Sequence, residues 1–431
     1  MERTYVKDIK EGTEVLLKGW VYDIRTLSGM TFLLLRDFSG YVQCISKDKN
    51  LIRKMADLTM ESVVEVHGKV KKAGVKAELA RKDIEVEIFS IDILSKAEEL
   101  PIQVNEKSVK AELPTRLDWR SLSLRTPKSK AIFKIQSSLV KGMQEWFSNN
   151  GFLRVFTPSL MGVASESGAD VFTVDYFGKK AFLRQDPQLH RQLTIAGGVE
   201  KLYDLGPSWR AEKSHTTKHI TEYHSIAPEM AFIESEQDIM RVEEQVIVSA
   251  VKEVMKECKE ELKLLNIELK IPKTPFPELR FPEIYEILKK EGKNVKRGED
   301  LDSEAEELLW KYIQKKFKTD FYFINKFPFK LKPFYVYHDE EYARSVDLIC
   351  KGTELSSGGQ REHRYEVLIK NVKEKGISEK SVEWFTKFFK YGVPTHGGFA
   401  IGIERFTKTL LNIDNVREVT LFPRDTERLT P

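Results

Sequence analysis

Residues 207–232, PSWRAEKSHTTKHITEYHSIAPEMAF, read as one strand ending in a polar loop and a second strand returning from it. Arg210 and Glu212 stand two positions apart, so an extended backbone puts both on one face. His219 follows in the loop. An arginine on a sheet surface can grip a phosphate through two parallel N–H donors. Taken alone, the segment fits an exposed cross-strand ion pair at least as well.

Two later segments change that balance. Residues 352–363, GTELSSGGQREH, offer Glu354 as a hard-cation ligand and Ser357 as a further oxygen. Mg²⁺ needs only one or two carboxylates when phosphate oxygens complete its shell. Gly358 and Gly359 let a backbone approach a ligand closely, and Arg361 can bind a carboxylate. Residues 397–406, GGFAIGIERF, read as a strand running into a helix, with the adjacent Glu404 and Arg405 near the sheet. A glycine-rich hairpin and a helix-start ion pair are the plain alternatives for these two segments.

The chain around them has two characters. From Glu14 to about Leu94 it alternates in short β-branched and aromatic runs: VLLKGWVYDIR, FLLLRD, YVQCIS, SVVEVHGKV and IEVEIFSIDIL. SG, SGY and KDKN break them. Five strands in so short a stretch predict a small closed barrel, for which the OB fold is the common solution. We assign residues 1–97 to this domain and 98–127, charged and aperiodic, to a hinge. Residues 128–431 form the second domain. Helical spacing predicts helices over Lys128–Asn149, Gln237–Leu264 and Glu304–Phe317. Strand-like runs between them do not alternate regularly with helices, so an antiparallel sheet flanked by helices is expected and the class is α+β.

The bulk properties exclude rather than decide. Lys and Arg number 70 against 66 Asp and Glu, a balance that neither demands nor forbids a nucleic-acid partner. No apolar run reaches 18 residues, and the charged N-terminus MERTYVKDIKEGTEV lacks the apolar region of a secretory signal. Cys44, Cys258 and Cys350 lie far apart without metal-ligand or disulfide spacing, which points to a reduced, intracellular protein. GxxxxGK[ST], GxGxxG and GxSxG are absent. His215 and His219 have HxxxH spacing, but their segment has poor helical character and no general base between them, so zinc is disfavoured.

Taken together, the motifs resemble the archaeal and eukaryotic branch of class II aspartyl-tRNA synthetases over nearly the whole chain. GFLRVFTPSL (151–160) is similar to motif 1, WRAE (209–212) to motif 2 and GIERF (402–406) to motif 3. ELSSGGQRE (354–362) and LFPRDTERLTP (421–431) are close to the same family, and GWVYDIRTLSGMTFLLLRDFSGYVQ (19–43) resembles its anticodon-binding OB domain. The resemblance implies ATP bent over an antiparallel sheet, with Arg210 on the α-phosphate, Arg405 on the γ-phosphate, and Glu212 and His219 on the nucleotide. Glu354 and Ser357 would hold Mg²⁺, helped by Asp347. Arg361 would pair with the side-chain carboxylate of L-aspartate, Gln188 would line the amino-acid pocket, and Glu166 would close over the amino group. Arg25, Phe32 and Gln43 would meet the tRNA anticodon, Phe32 by stacking on a base and Gln43 at a base edge. Pro158 would sit at the interface of a homodimer. The implied activity is ATP-dependent aspartate–tRNA ligation in the cytoplasm, on tRNA(Asp), with tRNA(Asn) left open as a second acceptor; the bulky Tyr22 leans towards tRNA(Asp) alone.

The amino-acid pocket departs from the family pattern. DPQLHR (186–191) replaces the usual SPQLYK, so Asp186 stands for serine and Arg191 for the lysine that helps hold the substrate's side-chain carboxylate, which makes Arg191 an expected substrate-binding residue. Ala227 stands where a carboxylate normally meets the substrate ammonium, and Ser167 where glycine is common. Summed over positions 186, 191 and 227, charge is unchanged while the carboxylate has moved. Asp186 is therefore a candidate to supply the missing negative charge. The alternatives are a paralogue that activates asparagine or another amino acid, a tRNA-independent amide-forming ligase, and a tRNA-binding protein without catalysis.

Overall fold

The computed structural model describes residues 1–105, 110–163, 171–213 and 216–431, which fall into two compact units, Met1–Thr126 and Pro127–Pro431. In the first unit, strands Glu14–Leu27, Met30–Arg36, Tyr41–Ser46, Val63–Lys72 and Ile84–Ser95 close a barrel in the order first, second, third, fifth, fourth. Their alternation explains the closure. Leu17, Leu33, Leu35, Val42, Val64, Val66 and Val86 point inward and are fully buried, while the residues between them face outward. KDKN, read above as a simple break, instead starts a helix. The Asp48 carboxylate accepts hydrogen bonds from the amides of Asn50 (2.8 Å) and Leu51 (2.9 Å), capping Lys49–Ala56. Residues 110–126 hold two short helices, Leu113–Asp118 and Arg120–Ser123. Buried Glu61 receives Arg36 at 2.7 Å and Arg125 at 3.0 Å, which ties the end of this stretch to the barrel.

The second unit is built on an eight-stranded sheet. In chain order the strands are β1 (Leu153–Val155), β2 (Lys201–Trp209), β3 (Glu222–Ala231), β4 (Glu278–Arg280), β5 (Phe321–Asn325), β6 (Ser345–Cys350), β7 (Thr353–Gln360) and β8 (His396–Gly402). Across the sheet the order is β4-β5-β6-β7-β8-β3-β2-β1. The antiparallel expectation holds through the centre, from β5 to β2. The edge pairs β1–β2 and β4–β5 are parallel, because long connections bring those two short strands in from elsewhere.

Helices α1 (Pro127–Asn149) and α2 (Gln188–Ala196), then α3 (Glu236–Glu257), α4 (Ser303–Phe317) and α5 (Ile403–Leu410), flank this sheet. Leu139, Met143 and Phe147 of α1 and Val246, Ala250 and Val254 of α3 share one core with Ile226, Leu348, Phe399 and Ile401 of the sheet. The helix expected over Gln237–Leu264 is two helices. Cys258 leaves helical geometry (φ −121°), and its thiol lies 3.2 Å from the Ser138 hydroxyl on α1 before Lys259–Leu265 resumes. The side-chain contact with α1 overrides an unbroken amphipathic pattern. At the sheet centre β7 and β8 run very close. A Cβ on Gly358 would stand 2.6 Å from the Gly398 carbonyl oxygen, and one on Gly398 would strike the Pro228 carbonyl oxygen.

Candidate active site

A cavity of about 310 Å³ opens over the sheet centre. Arg210, Glu212, His219, Glu354, Ser357, Arg361, Gln188, Asp186 and Arg405 all line it. Residues spread over more than 200 positions of sequence thus converge on one site. β2 ends at Trp209, so Arg210 and Glu212 leave the strand proper, although the Arg210 amide still donates to the Thr221 carbonyl at 2.9 Å.

At the nucleotide end, Arg210 Nη1 lies 3.5 Å from Glu212 Oε1, and its guanidinium sits 5.8 Å from the Tyr223 ring centre. His219 Nε2 is 3.9 Å from Glu212 Oε2, and the Thr216 hydroxyl is 2.7 Å from its Nδ1. Arg405, in the first turn of α5, donates through Nη1 to the Glu354 carbonyl (3.0 Å) and to its carboxylate (3.2 Å). Its neighbour Glu404 turns the other way and holds His224, at 3.0 Å through the amide and 2.8 Å through Nδ1. The hydrogen bond to Glu404 raises the His224 pKa above its ordinary value.

Beside Glu354, β6 and β7 pair Asp347 with Ser357. Asp347 Oδ2 accepts from Lys332 Nζ at 2.9 Å, whereas its buried Oδ1 has no hydrogen-bond partner among the described residues. Burial pushes Asp347 up to about 6 despite Lys332. Among the described residues no group of three or more acidic, histidine or cysteine side chains could hold a metal alone. Two carboxylates, Glu354 and Asp347 with its orphaned Oδ1, and the Ser357 hydroxyl nevertheless suit Mg²⁺ completed by phosphate oxygens. His215, and with it the HxxxH reading, lies outside the described residues, as do Glu166 and Ser167.

The amino-acid end is a buried charge network. Arg361 donates from Nε to Glu229 Oε1 (2.9 Å) and from Nη2 to Gln188 Oε1 (3.0 Å) and to the Gly398 carbonyl (3.1 Å). Gln188 Nε2 donates to Glu229 Oε2 at 3.0 Å. Glu229 is fully buried. Arg191 does not reach the cavity wall. Both its terminal nitrogens lie 2.8 Å from the Asp186 carboxylate, and Nη2 also donates to Gln188 Oε1 at 2.7 Å. Burial alone would raise the Asp186 pKa, but Arg191, with Arg361 and Arg184 farther off, outweighs it and holds the carboxyl below its usual range. Ala227 lies between Ser225 and Glu229 on the same strand face; it is buried and, unlike Ser225, does not line the cavity.

Sequence reasoning named nine of the lining residues as site residues and missed the others, among them Lys332, Tyr223 and Glu404, as well as Glu229 behind the wall. Glu229 was findable, two positions beyond Ala227 on one face. Lys332 arrives from a loop between β5 and β6, and no local pattern marks it.

On the barrel, a second concavity is lined by Tyr22, Arg25, Phe32, Gln43, Lys76 and Asn105, among others. Arg25 stacks over Phe32 at 5.6 Å, and Gln43 Nε2 donates to Glu85 at 2.9 Å. Pro158 is exposed, and around it so are Leu153 and Phe156, the latter 80% accessible.

Comparison with known proteins identifies the family. Residues 112–426 match the family of class II tRNA synthetases (D, K and N), and residues 15–94 match the OB-fold nucleic acid binding domain. The aspartate–tRNA(Asp) ligase of Pyrococcus furiosus is 43% identical, covering 99% of each chain. The aspartate–tRNA(Asp/Asn) ligase of Aeropyrum pernix is 40% identical over 99% of this chain and 97% of its own. The crystal structure of asparaginyl-tRNA synthetase from Pyrococcus horikoshii with asparaginyl-adenylate superposes over 100% of both chains with a TM-score of 0.92 at 32% identity. The chain is a class II tRNA synthetase of the D, K and N group, with an OB-fold domain at its N-terminal side.

Proposed function

We propose that the protein is an aspartate–tRNA ligase that works in the cytoplasm as a homodimer. A carboxylate oxygen of L-aspartate attacks the α-phosphorus of ATP, pyrophosphate leaves, and aspartyl-adenylate forms. The 3′-terminal hydroxyl of tRNA(Asp) then attacks the acyl carbonyl and AMP departs. The observation that carries this reading is the convergence of Arg210, Arg405 and Glu354 on one cavity. In this reading Arg210 neutralises the α-phosphate, Arg405 the far end of the triphosphate, and Glu212 and His219 contact the nucleotide. Charges fixed before the substrate arrives need no reorganisation as phosphoryl charge shifts, and alignment of acid and phosphate supplies much of the rest. Glu354, Ser357 and Asp347 would hold Mg²⁺, which when bound adds positive charge against the phosphate oxygens. Arg361 Nη1 makes no hydrogen bond among the described residues and is left for the side-chain carboxylate. The exposed Pro158, Leu153 and Phe156 support a homodimer face. The barrel concavity with Phe32, Arg25, Gln43 and the bulky Tyr22 supports anticodon binding and tRNA(Asp) as acceptor.

One observation favours a second reading, asparagine. Arg191 and Arg361 each already face an acid, Asp186 and Glu229, so both arginines at the amino-acid end are compensated among the described residues. ATP–pyrophosphate exchange over a panel of amino acids separates the two. Exchange with aspartate and not asparagine supports the first, the reverse supports the second, and exchange with no amino acid overturns both.

A further inference from the structure

An amino acid brings an ammonium group into the cavity, and burying it requires an anionic acceptor. Four carboxylates line the wall among the described residues: Asp186, Glu212, Glu354 and Glu404. Glu354 is bound to Arg405, Glu212 to Arg210 and His219, and Glu404 to His224. Glu229 lies deeper and is consumed by Arg361 and Gln188. Position 227, between Ser225 and Glu229, carries only a methyl group, buried behind the cavity wall. Asp186 is paired too, with Arg191, but among the described residues it is the lining carboxylate that stands beside Gln188 and Arg361 at the amino-acid end, with 28% of its side chain exposed.

Resting on the reading that this cavity activates an amino acid, we infer that Asp186, clamped from behind by Arg191, is the anion that receives the substrate's α-ammonium group. Arg191 touches no substrate. Its two terminal nitrogens fix both Asp186 oxygens, and its third contact, to Gln188, locks that clamp to the network holding Arg361. Asp186 therefore acts as a specificity residue and Arg191 as a positioning residue. The arrangement selects α-amino acids over α-hydroxy acids of the same shape.

The test is ATP–pyrophosphate exchange by the full chain, with L-malate, which carries a hydroxyl in place of the ammonium, as competitive inhibitor. Asp186→Asn keeps an oxygen for Arg191 but removes the charge. It is expected to raise the KM for aspartate about 100-fold, since truncating one partner of a buried charge pair costs a few factors of ten. The KM for ATP and the inhibition constant of malate should stay within about threefold, a change too small to report a lost ionic contact. Asp186→Asn combined with Ala227→Asp puts a carboxylate two positions from the cavity-lining Ser225 on the same strand face and should recover most of the loss. A merely structural Asp186 would weaken aspartate and malate alike and would not be rescued from position 227; either result overturns the inference. An aspartate KM unmoved in Asp186→Asn overturns it while leaving the ligase reading intact. A wild-type chain without amino-acid-dependent exchange takes down both.

Discussion

Arg405 Nη1 donates at once to the backbone carbonyl and the carboxylate of Glu354, 3.0 and 3.2 Å away, so the cation of α5 and the acid of β7 are set as one unit. Replacing Arg405 with alanine frees Glu354 and removes a charge from the far phosphates. The value of kcat/KM in pyrophosphate exchange should fall by about 100- to 1,000-fold, as for loss of one preorganised electrostatic contact. Retention of wild-type exchange would remove Arg405 from the mechanism.

Arg361 neutralises a fully buried Glu229. Arg361→Met should therefore destabilise the second unit by about 3–5 kcal/mol, the cost of stranding a buried charge. Adding Glu229→Gln should recover most of that stability without recovering aspartate use. Urea unfolding alongside exchange assays checks the two halves separately.

On the barrel, Phe32→Ala should weaken tRNA by roughly 1–3 kcal/mol, the value of one stacked base. Aminoacylation should show a raised KM for tRNA while pyrophosphate exchange without tRNA stays as in the wild type. A parallel loss of exchange would mean that Phe32 serves the fold instead.

Glu243 of α3 is fully buried, hydrogen-bonded to the Ser356 hydroxyl, and burial pushes its pKa up to about 8. Between the ordinary carboxyl value near 4.3 and 8, the folded chain holds a proton that the unfolded chain has released. Stability should thus fall as pH rises through that window. Glu243→Gln removes this loss, so its urea midpoint should exceed the wild type at pH 8 and approach it at pH 5. An equal offset at both values would show that the proton is not the cause.

Much of this was legible beforehand, for identifiable reasons. Barrel strands announce themselves because one face of each is buried, which forces the two-residue alternation seen at Leu33 and Leu35. The break at Cys258 was not legible, since it depends on Ser138, 120 positions away. The parallel edges of the sheet escaped notice because three-residue strands carry too few side chains to show a pattern. At the site, residue types marked Arg210, Glu354 and Arg361, but the withdrawal of Arg191 behind Asp186 is a matter of side-chain direction. A sequence records which charges exist and not which are already spent on each other.

The tight passage of β7 beside β8, where Gly358 abuts the Gly398 carbonyl, has a bearing on how such an enzyme can diverge. Every side chain is barred from that floor, so mutation cannot sculpt new selectivity there without prising the strands apart. Innovation is driven outward to the walls, where positions such as Asp186 remain open to exchange.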